Sequence, residues 1–344
     1  MLLTSILGAF ATNNFLSYSL NKSDMIEVGI IIVHEYRLLS IAAILDVFEA
    51  VNKIQKEKGL PGQYNITLFS LPGAEPVTFH GYETKSIMEE AKPELILIPS
   101  FSTENIQLAV QKSAGFIPWL IKQYQAGAEI ASLCSGAFLF AATKLLDGKV
   151  ATTHVDAGSG FAAAFPEVKL RVDKTVTQDG RLYTSGGSTS SFHLLLHLVQ
   201  KHCGKDMAVR IAKIFAIDMD RHNQSYFSTF RPSHQHNDEL VALVQQKIET
   251  GYHEIETIEA IIKDIPSSRR NLVRRFKQAT GIAPIEYLQQ TRIEASKKLL
   301  EQTSQQMTEV IAHTGYNDPK AFRKVFRKIV GMTPTDYREK FQIK

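Results

Sequence analysis

Residues 131–139 read ASLCSGAFL, with Cys134 set between Ser132 and Ser135 and just ahead of Gly136. An apolar run that ends on a small polar residue and continues as Gly-Ala reads as a strand entering a helix through a sharp turn, which lifts one side chain into a cleft. Such a cysteine can serve as a nucleophile or in a ligand sensor; the competing reading is a buried cysteine acting as a small hydrophobe. The flanking sequence helps to decide. IEVGIIIV at 26–33, ELILIP at 94–99 and EIASLC at 129–134 are short β-branched runs of the kind buried in a parallel sheet. Between them, SIAAILDVFEAVNKIQK at 40–56 and NIQLAVQKSAGFIPWLIKQYQAG at 105–127 have helical periodicity. Strand and helix in turn predict a doubly wound α/β sheet. Ligands bind such sheets beyond the carboxyl ends of the strands, where Cys134 falls, and this favours a functional role.

At 344 residues the chain is too long for one average domain. It holds no apolar run of about 18 residues, so no membrane span is expected. Cys134 and Cys203, the only cysteines, form no disulfide framework, which points to the reducing cytoplasm. Residues 1–24 carry LLTSILGAFA with no Lys or Arg ahead of it, unlike a signal peptide, and read as a disordered extension before a start near Met25.

Charge is divided unevenly. From Tyr252 to the end, 17 Lys and Arg face 11 Asp and Glu, a net +6 that leaves −2 for residues 1–251 and marks the last quarter for a polyanionic partner. The stretch DMDRHNQSYFSTFRPSHQHNDEL at 218–240 is polar, histidine-rich and aperiodic. It reads as a solvated linker between a domain at 25–217 and another at 241–344. Its His222, His234 and His236 are not backed by cysteines or spaced carboxylates, so neither a metal nor a cofactor is expected.

The basic quarter repeats one scheme twice. TIEAIIKDIPSSRRNLVRRFKQATGIAPIEYLQQTR at 257–292 and MTEVIAHTGYNDPKAFRKVFRKIVGMTPTDYREKF at 307–341 each run apolar helix, turn, basic helix, Gly-x-x-Pro and an aromatic. Helix-turn-helix frames are therefore expected at about 257–280 and 307–330 in an all-α domain. In the second, Val310, Ile311 and Ala312 form the first helix and Thr314–Gly315–Tyr316 the turn. Asn317 or Asp318 then caps a helix with Pro319 at its first position. Phe322, Val325, Phe326 and Ile329 make one apolar stripe, which turns Lys320, Arg323, Lys324, Arg327 and Lys328 outward. The first unit sets Arg269, Arg270, Arg274, Arg275 and Lys277 around Leu272, Val273 and Phe276.

PIEYLQQTRIEASKKLLEQT at 284–303 reads as one helix with Ile285, Leu288, Ile293 and Leu299 or Leu300 inside. About 18 residues at a rise of about 1.5 Å span roughly 27 Å. Such a rod can set two recognition helices in successive major grooves, which repeat roughly every 34 Å, so double-stranded DNA is the expected partner.

Residues 25–215 resemble the PfpI-type branch of the class I glutamine amidotransferase-like superfamily. The likeness rests on the Cys134 turn, GKVATTHV at 148–155 and LYTSGGSTSSFHLLLHLVQKHCG at 182–204. It implies a flavodoxin-like sheet. Hydrolases of that superfamily follow the elbow cysteine with a histidine and draw an acid from the loop after the first strand. Here Ser135 stands at the histidine position and Ser40, counted back from DVF at 46–48, at the acid position. PSF at 99–101 replaces a glycine-rich oxyanion loop. A thiol of pKa about 8.5 without a base stays mostly protonated at neutral pH. His154, with Asp156 nearby, can still approach Cys134, so an active cysteine hydrolase or amidotransferase is the competing reading. The favoured one is a non-enzymatic domain that senses an unknown small-molecule effector or mediates dimerisation, lined by Ser100, Phe101, Cys134, Ser135, His154 and Ser188.

The last 95 or so residues, above all GYNDPKAFRKVFRKIVGMTPTDYR at 315–338, resemble the AraC/XylS DNA-binding domain. The whole then reads as a homodimeric transcription regulator. Ile265–Pro266 departs from the small residue common in that family's first turn, and the proline predicts an early end to the helix before it. Near the starts of the two recognition helices, Arg269, Arg270 and Asn271 in one and Asn317, Asp318 and Lys320 in the other are expected to reach base edges. Arg275, Lys277, Arg327 and Lys328 are expected to meet phosphate.

Overall fold

Successive side chains of a strand leave opposite faces of the sheet, and in β1 (Ile26–Ile31) both faces are apolar. Val28 and Ile30 enter one hydrophobic cluster, Ile31 the other. Such double burial requires helices on both sides of the sheet. The computed structural model, which describes residues 25–342 except 80, 89, 90, 231, 233, 235, 256 and 264, supplies them. The extension expected at 1–24 lies outside the described residues.

After β1 come α1 (Leu38–Glu57), β2 (Tyr64–Ser70), β3 (Thr78–Phe79), β4 (Tyr82–Ser86), β5 (Leu95–Ile98), α2 (Ile106–Lys112), α3 (Phe116–Gln125) and β6 (Glu129–Ser132). They are followed by α4 (Ala137–Ala142), β7 (Val150–Ala151), α5 (Gly158–Ala164), β8 (Lys169–Leu170), β9 (Val176–Asp179), β10 (Leu182–Ser185), α6 (Ser190–Cys203) and α7 (Lys205–Ile214). The main sheet has the order β3-β4-β2-β1-β5-β6-β10-β9. It is parallel except at its two edges, β3 and β9. Helices α1, α6 and α7 cover one face and α2 to α5 the other. The doubly wound, flavodoxin-like sheet is thus present. The single helix expected at 105–127 is instead α2 and α3. Pro118 explains the break: mid-helix, its ring would strike the carbonyl of Ala114, whereas in the first turn of α3 its missing N–H leaves no bond unmade.

The C-terminal part is all helical: α8 (Glu239–Gly251), α9 (Ile258–Ile262), α10 (Arg269–Thr280), α11 (Pro284–Gln302), α12 (Met307–His313), α13 (Pro319–Val330) and α14 (Pro334–Phe341). As the proline implied, α9 is short. The rod α11 belongs to two cores, giving Tyr287 and Leu288 to the first unit and Ile293 and Leu300 to the second. Ile285, expected inside, is 39% exposed. The buried stripe runs through positions 284, 287, 288, 292, 293, 296, 297 and 300, which leaves 285 off it. Two stripe positions are cations. Arg292 is satisfied by the Tyr252 and Ile255 carbonyls at 2.8 and 2.6 Å, and Lys297 by Glu294 and the Ser228 carbonyl.

Part of the connection at 218–240 is a structured strap rather than solvated chain. Gln224 is 1% exposed, its Nε2 donating to the carbonyls of Thr153 and Val172 at 2.9 Å while its Oε1 accepts from Gly187 N at 2.7 Å. Asn223 bridges to Lys174, and Thr229 N donates to Asp156 Oδ1 at 2.9 Å. Tyr226, two residues beyond Gln224, is buried in the second C-terminal core. A polar segment can be interior when every donor and acceptor is met.

Candidate functional site

Cys134 begins the 3₁₀ turn that follows β6, at φ +52°, a left-handed conformation that costs of order 1–3 kcal/mol in a residue with a Cβ. Gly136 keeps this elbow against the end of β5: a Cβ there would lie 2.5 Å from the Pro99 carbonyl oxygen and 2.8 Å from that of Ile98. Cys134 N donates to Ser185 Oγ at 3.3 Å, and the Cys134 carbonyl accepts from Thr153 Oγ1 at 3.1 Å. Ser135 Oγ accepts from Phe101 N at 3.0 Å. Ser40 Oγ donates to the Arg37 carbonyl at 2.7 Å and accepts from Ser100 N at 3.2 Å. Ser40 and Ser135 therefore act together on one object, the backbone of Ser100 and Phe101.

Cys134 is 4% exposed, and burial pushes its thiol up to about 11, with the Ser135 hydrogen bonds and the Arg37 charge offsetting only part. At neutral pH it is an SH group and a poor nucleophile. His154 Nδ1 accepts from Asp156 N, and Asp156 Oδ1 accepts from Thr229 N. Among the described residues no hydrogen bond joins His154 to Cys134. Ser100, Phe101, Cys134 and Ser135 are buried together, whereas His154 and Ser188 are half-buried. Besides Ser135, Ser185 meets Cys134, and among the described residues no hydrogen bond joins Ser188 to it. Ser185 ends β10 at the same carboxyl end of the sheet, so the strand-end rule that singled out Cys134 could have found it. Nothing in the pattern of 218–240 pointed to Gln224.

At the other end of the chain, Asp318 Oδ1 accepts from Lys320 N at 2.8 Å, Pro319 opens α13, and Gly331 closes it at φ +84°. Phe322, Phe326 and Val330 are buried, while Lys320, Arg323, Lys324, Arg327 and Lys328 are all exposed. Among the described residues none of these five cations is in an ion pair. The Asp318 carboxylate serves the cap through Oδ1, and both Asn317 and Asp318, expected among the base readers, are exposed.

The first unit is built alike but engaged differently. Ser268 caps α10 through Asn271 N, Arg269 Nη1 lies 2.9 Å from Glu259 Oε1, and Arg274 Nη2 donates to Asn271 Oδ1 at 3.1 Å. Arg275 grips Asp238, the cap of α8, through Nε at 2.8 Å and Nη2 at 2.6 Å, and holds that carboxyl below its ordinary range. The Arg275 side chain, expected on phosphate, ties α10 to α8. Arg270 and Lys277 remain exposed.

Among solved structures the chain is similar to Drosophila melanogaster DJ-1beta, with a TM-score of 0.46 and 19% identity over 56% of this chain and 99% of that one. A DJ-1/PfpI family model matches residues 31–201, and a helix-turn-helix domain model matches residues 263–340. The HTH-type transcriptional regulator GbdR of Pseudomonas aeruginosa is 24% identical over 321 residues, covering 91% of this chain and 84% of GbdR. GlxA of Rhizobium meliloti, also an HTH-type transcriptional regulator, is 26% identical over 217 residues, covering 62% of this chain and 66% of GlxA. On the two matched domains and their order, the chain belongs to the helix-turn-helix transcriptional regulators that join a DJ-1/PfpI-family domain to an AraC-type DNA-binding domain.

Proposed function

We propose that this regulator reads its operator chiefly through α13, and that the Cys134 cleft holds a small effector without turning over substrate. The observation that carries the DNA reading is the α13 face, with five exposed cations and no acid between residues 320 and 328 opposite a buried phenylalanine stripe. A clear mobility shift of DNA from upstream of its own coding region, weakened by added salt, is the expected result with the full chain. The non-catalytic reading of the cleft is supported by the raised thiol, by the His154 ring turned to Asp156 N, and by Ser40 and Ser135 holding backbone where hydrolases keep acid and histidine. Steady amide hydrolysis abolished by Cys134→Ser would overturn it.

The strap supplies the coupling. Thr153 donates to the Cys134 carbonyl and accepts from Gln224, and Tyr226 packs among the helices of the second unit. A change in the cleft thus reaches the DNA-binding domain in a few residues. An effector must then shift operator affinity, and DNA must shift effector affinity by the same factor. The working form is a cytoplasmic homodimer, with effector identity set by chemistry in the cleft, where the Arg37 charge acts on Cys134.

A further inference from the structure

Away from the Cys134 elbow, a cavity of about 430 Å³ lies between the start of β9, one face of α6 and the strap, a size suited to a small ligand. Its charge among the described residues is of one sign: Lys174 and Arg221 line it, and no described Asp or Glu does. Thr175 Oγ1 and Arg221 Nε are both buried without a hydrogen-bond partner among the described residues. An orphaned buried donor is costly, and an acceptor from a ligand or a water relieves it. The rest of the Arg221 guanidinium is already placed, Nη1 donating to Thr189 Oγ1 at 2.9 Å and Nη2 to Ser190 Oγ at 3.2 Å. His193 and His197 also face the cavity, but among the described residues no group of three His, Cys, Asp or Glu is placed to hold a metal ion. His193 Nε2 is 2.9 Å from the Asp218 carbonyl and His197 Nε2 is 2.8 Å from Gln178 Oε1. Burial moves both rings below their ordinary range, so the positive charge comes from Lys174 and Arg221. Leu196 and Met219 add an apolar flank, which suits a short carbon skeleton better than a bare ion.

We propose that this cavity is a second effector site, for a small organic anion whose carboxylate is held by Lys174, Thr175 Oγ1 and Arg221 Nε. The occupant bridges the first domain to the strap, because Thr175 N also donates to the His222 carbonyl and Asn223 pairs with Lys174. Binding itself does not depend on the DNA reading; its regulatory consequence rests on that reading.

The test is a calorimetric titration of the full chain, without DNA, by succinate, inorganic phosphate and the neutral diamide succinamide. Saturable succinate binding is expected, weakened about tenfold or more by Lys174→Gln and by Thr175→Val, with no binding of succinamide. Absence of saturable succinate binding, or an affinity unchanged in both variants, overturns the site. Phosphate bound in place of succinate overturns the organic character of the ligand. In an operator titration, succinate is expected to change affinity for the wild type and not for Lys174→Gln. If calorimetry succeeds and operator affinity does not move, the site stands and its regulatory role falls.

Discussion

Helix α10 buries Leu272 and Phe276, and α13 buries Phe322 and Phe326; each starts at a side-chain cap and ends at a left-handed glycine, Gly281 or Gly331. Their outer faces diverge. Arg269 and Arg275 of α10 are in ion pairs with Glu259 and Asp238, and Arg274 is bonded to Asn271, whereas the cations of α13 face solvent free of such pairs among the described residues. The turns differ as well. The second unit uses Gly315 at φ +79°, where a Cβ would lie 2.7 Å from the His253 carbonyl oxygen, and the first uses Ile265–Pro266 after a five-residue helix. On the reading proposed above, helices of equal formal charge are unequal as DNA readers. What counts is the charge left over once the protein's own acids are served.

If the units are alike inside, Phe276→Ala and Phe326→Ala should each cost about 3–5 kcal/mol in denaturant unfolding. A near-neutral Phe326→Ala would break the symmetry of the cores. Gly315→Ala forces a side chain into a left-handed, crowded position and should cost of order 1–3 kcal/mol in the same experiment, while Pro266→Ala should change little. Similar losses at the two turns would mean that the first is as constrained as the second.

The two arginines expected on phosphate should separate. Arg327→Ala should weaken all DNA alike and lower the salt slope by about one. Arg275→Ala should leave that slope intact and lower the melting temperature instead. Asp238 has its carboxyl lowered by Arg275, so this stability is present above the ordinary carboxylate range and is lost as pH falls through the lowered value. Arg275→Ala should flatten that acid limb; a change in salt slope instead would return Arg275 to the DNA face. For the thiol the sign is opposite. Cys134 is raised to about 11, so the stability gained by burying it as SH is present below the ordinary thiol range and lost as pH rises toward that value. Alkylation of Cys134 by iodoacetamide at neutral pH should accordingly be slow in the native protein and fast once it unfolds.

The sheet was legible because strands buried on both faces are continuous apolar runs, and the elbow because its strand-end position is a rule of such sheets. The second helix-turn-helix unit was legible through its cap, its proline and its apolar stripe. Other features were hidden for a common reason, that polarity in a sequence does not report its partners. Gln224 looked solvated and is interior; Arg292 and Lys297 are cations that sit on the buried stripe of α11. Arg275 looked like a phosphate contact and is paired with an aspartate 37 positions away. Long-range pairing of this kind leaves no local pattern to read.

The dominance of α13 is tested most directly by one operator titration at fixed salt, comparing Lys320→Ala and Arg323→Ala with Arg270→Ala in the full chain. The account predicts losses of about 1–3 kcal/mol on the operator for each of the first two, with relaxed base preference, and a smaller loss for Arg270→Ala. A larger loss of operator discrimination for Arg270→Ala than for either α13 variant would contradict it.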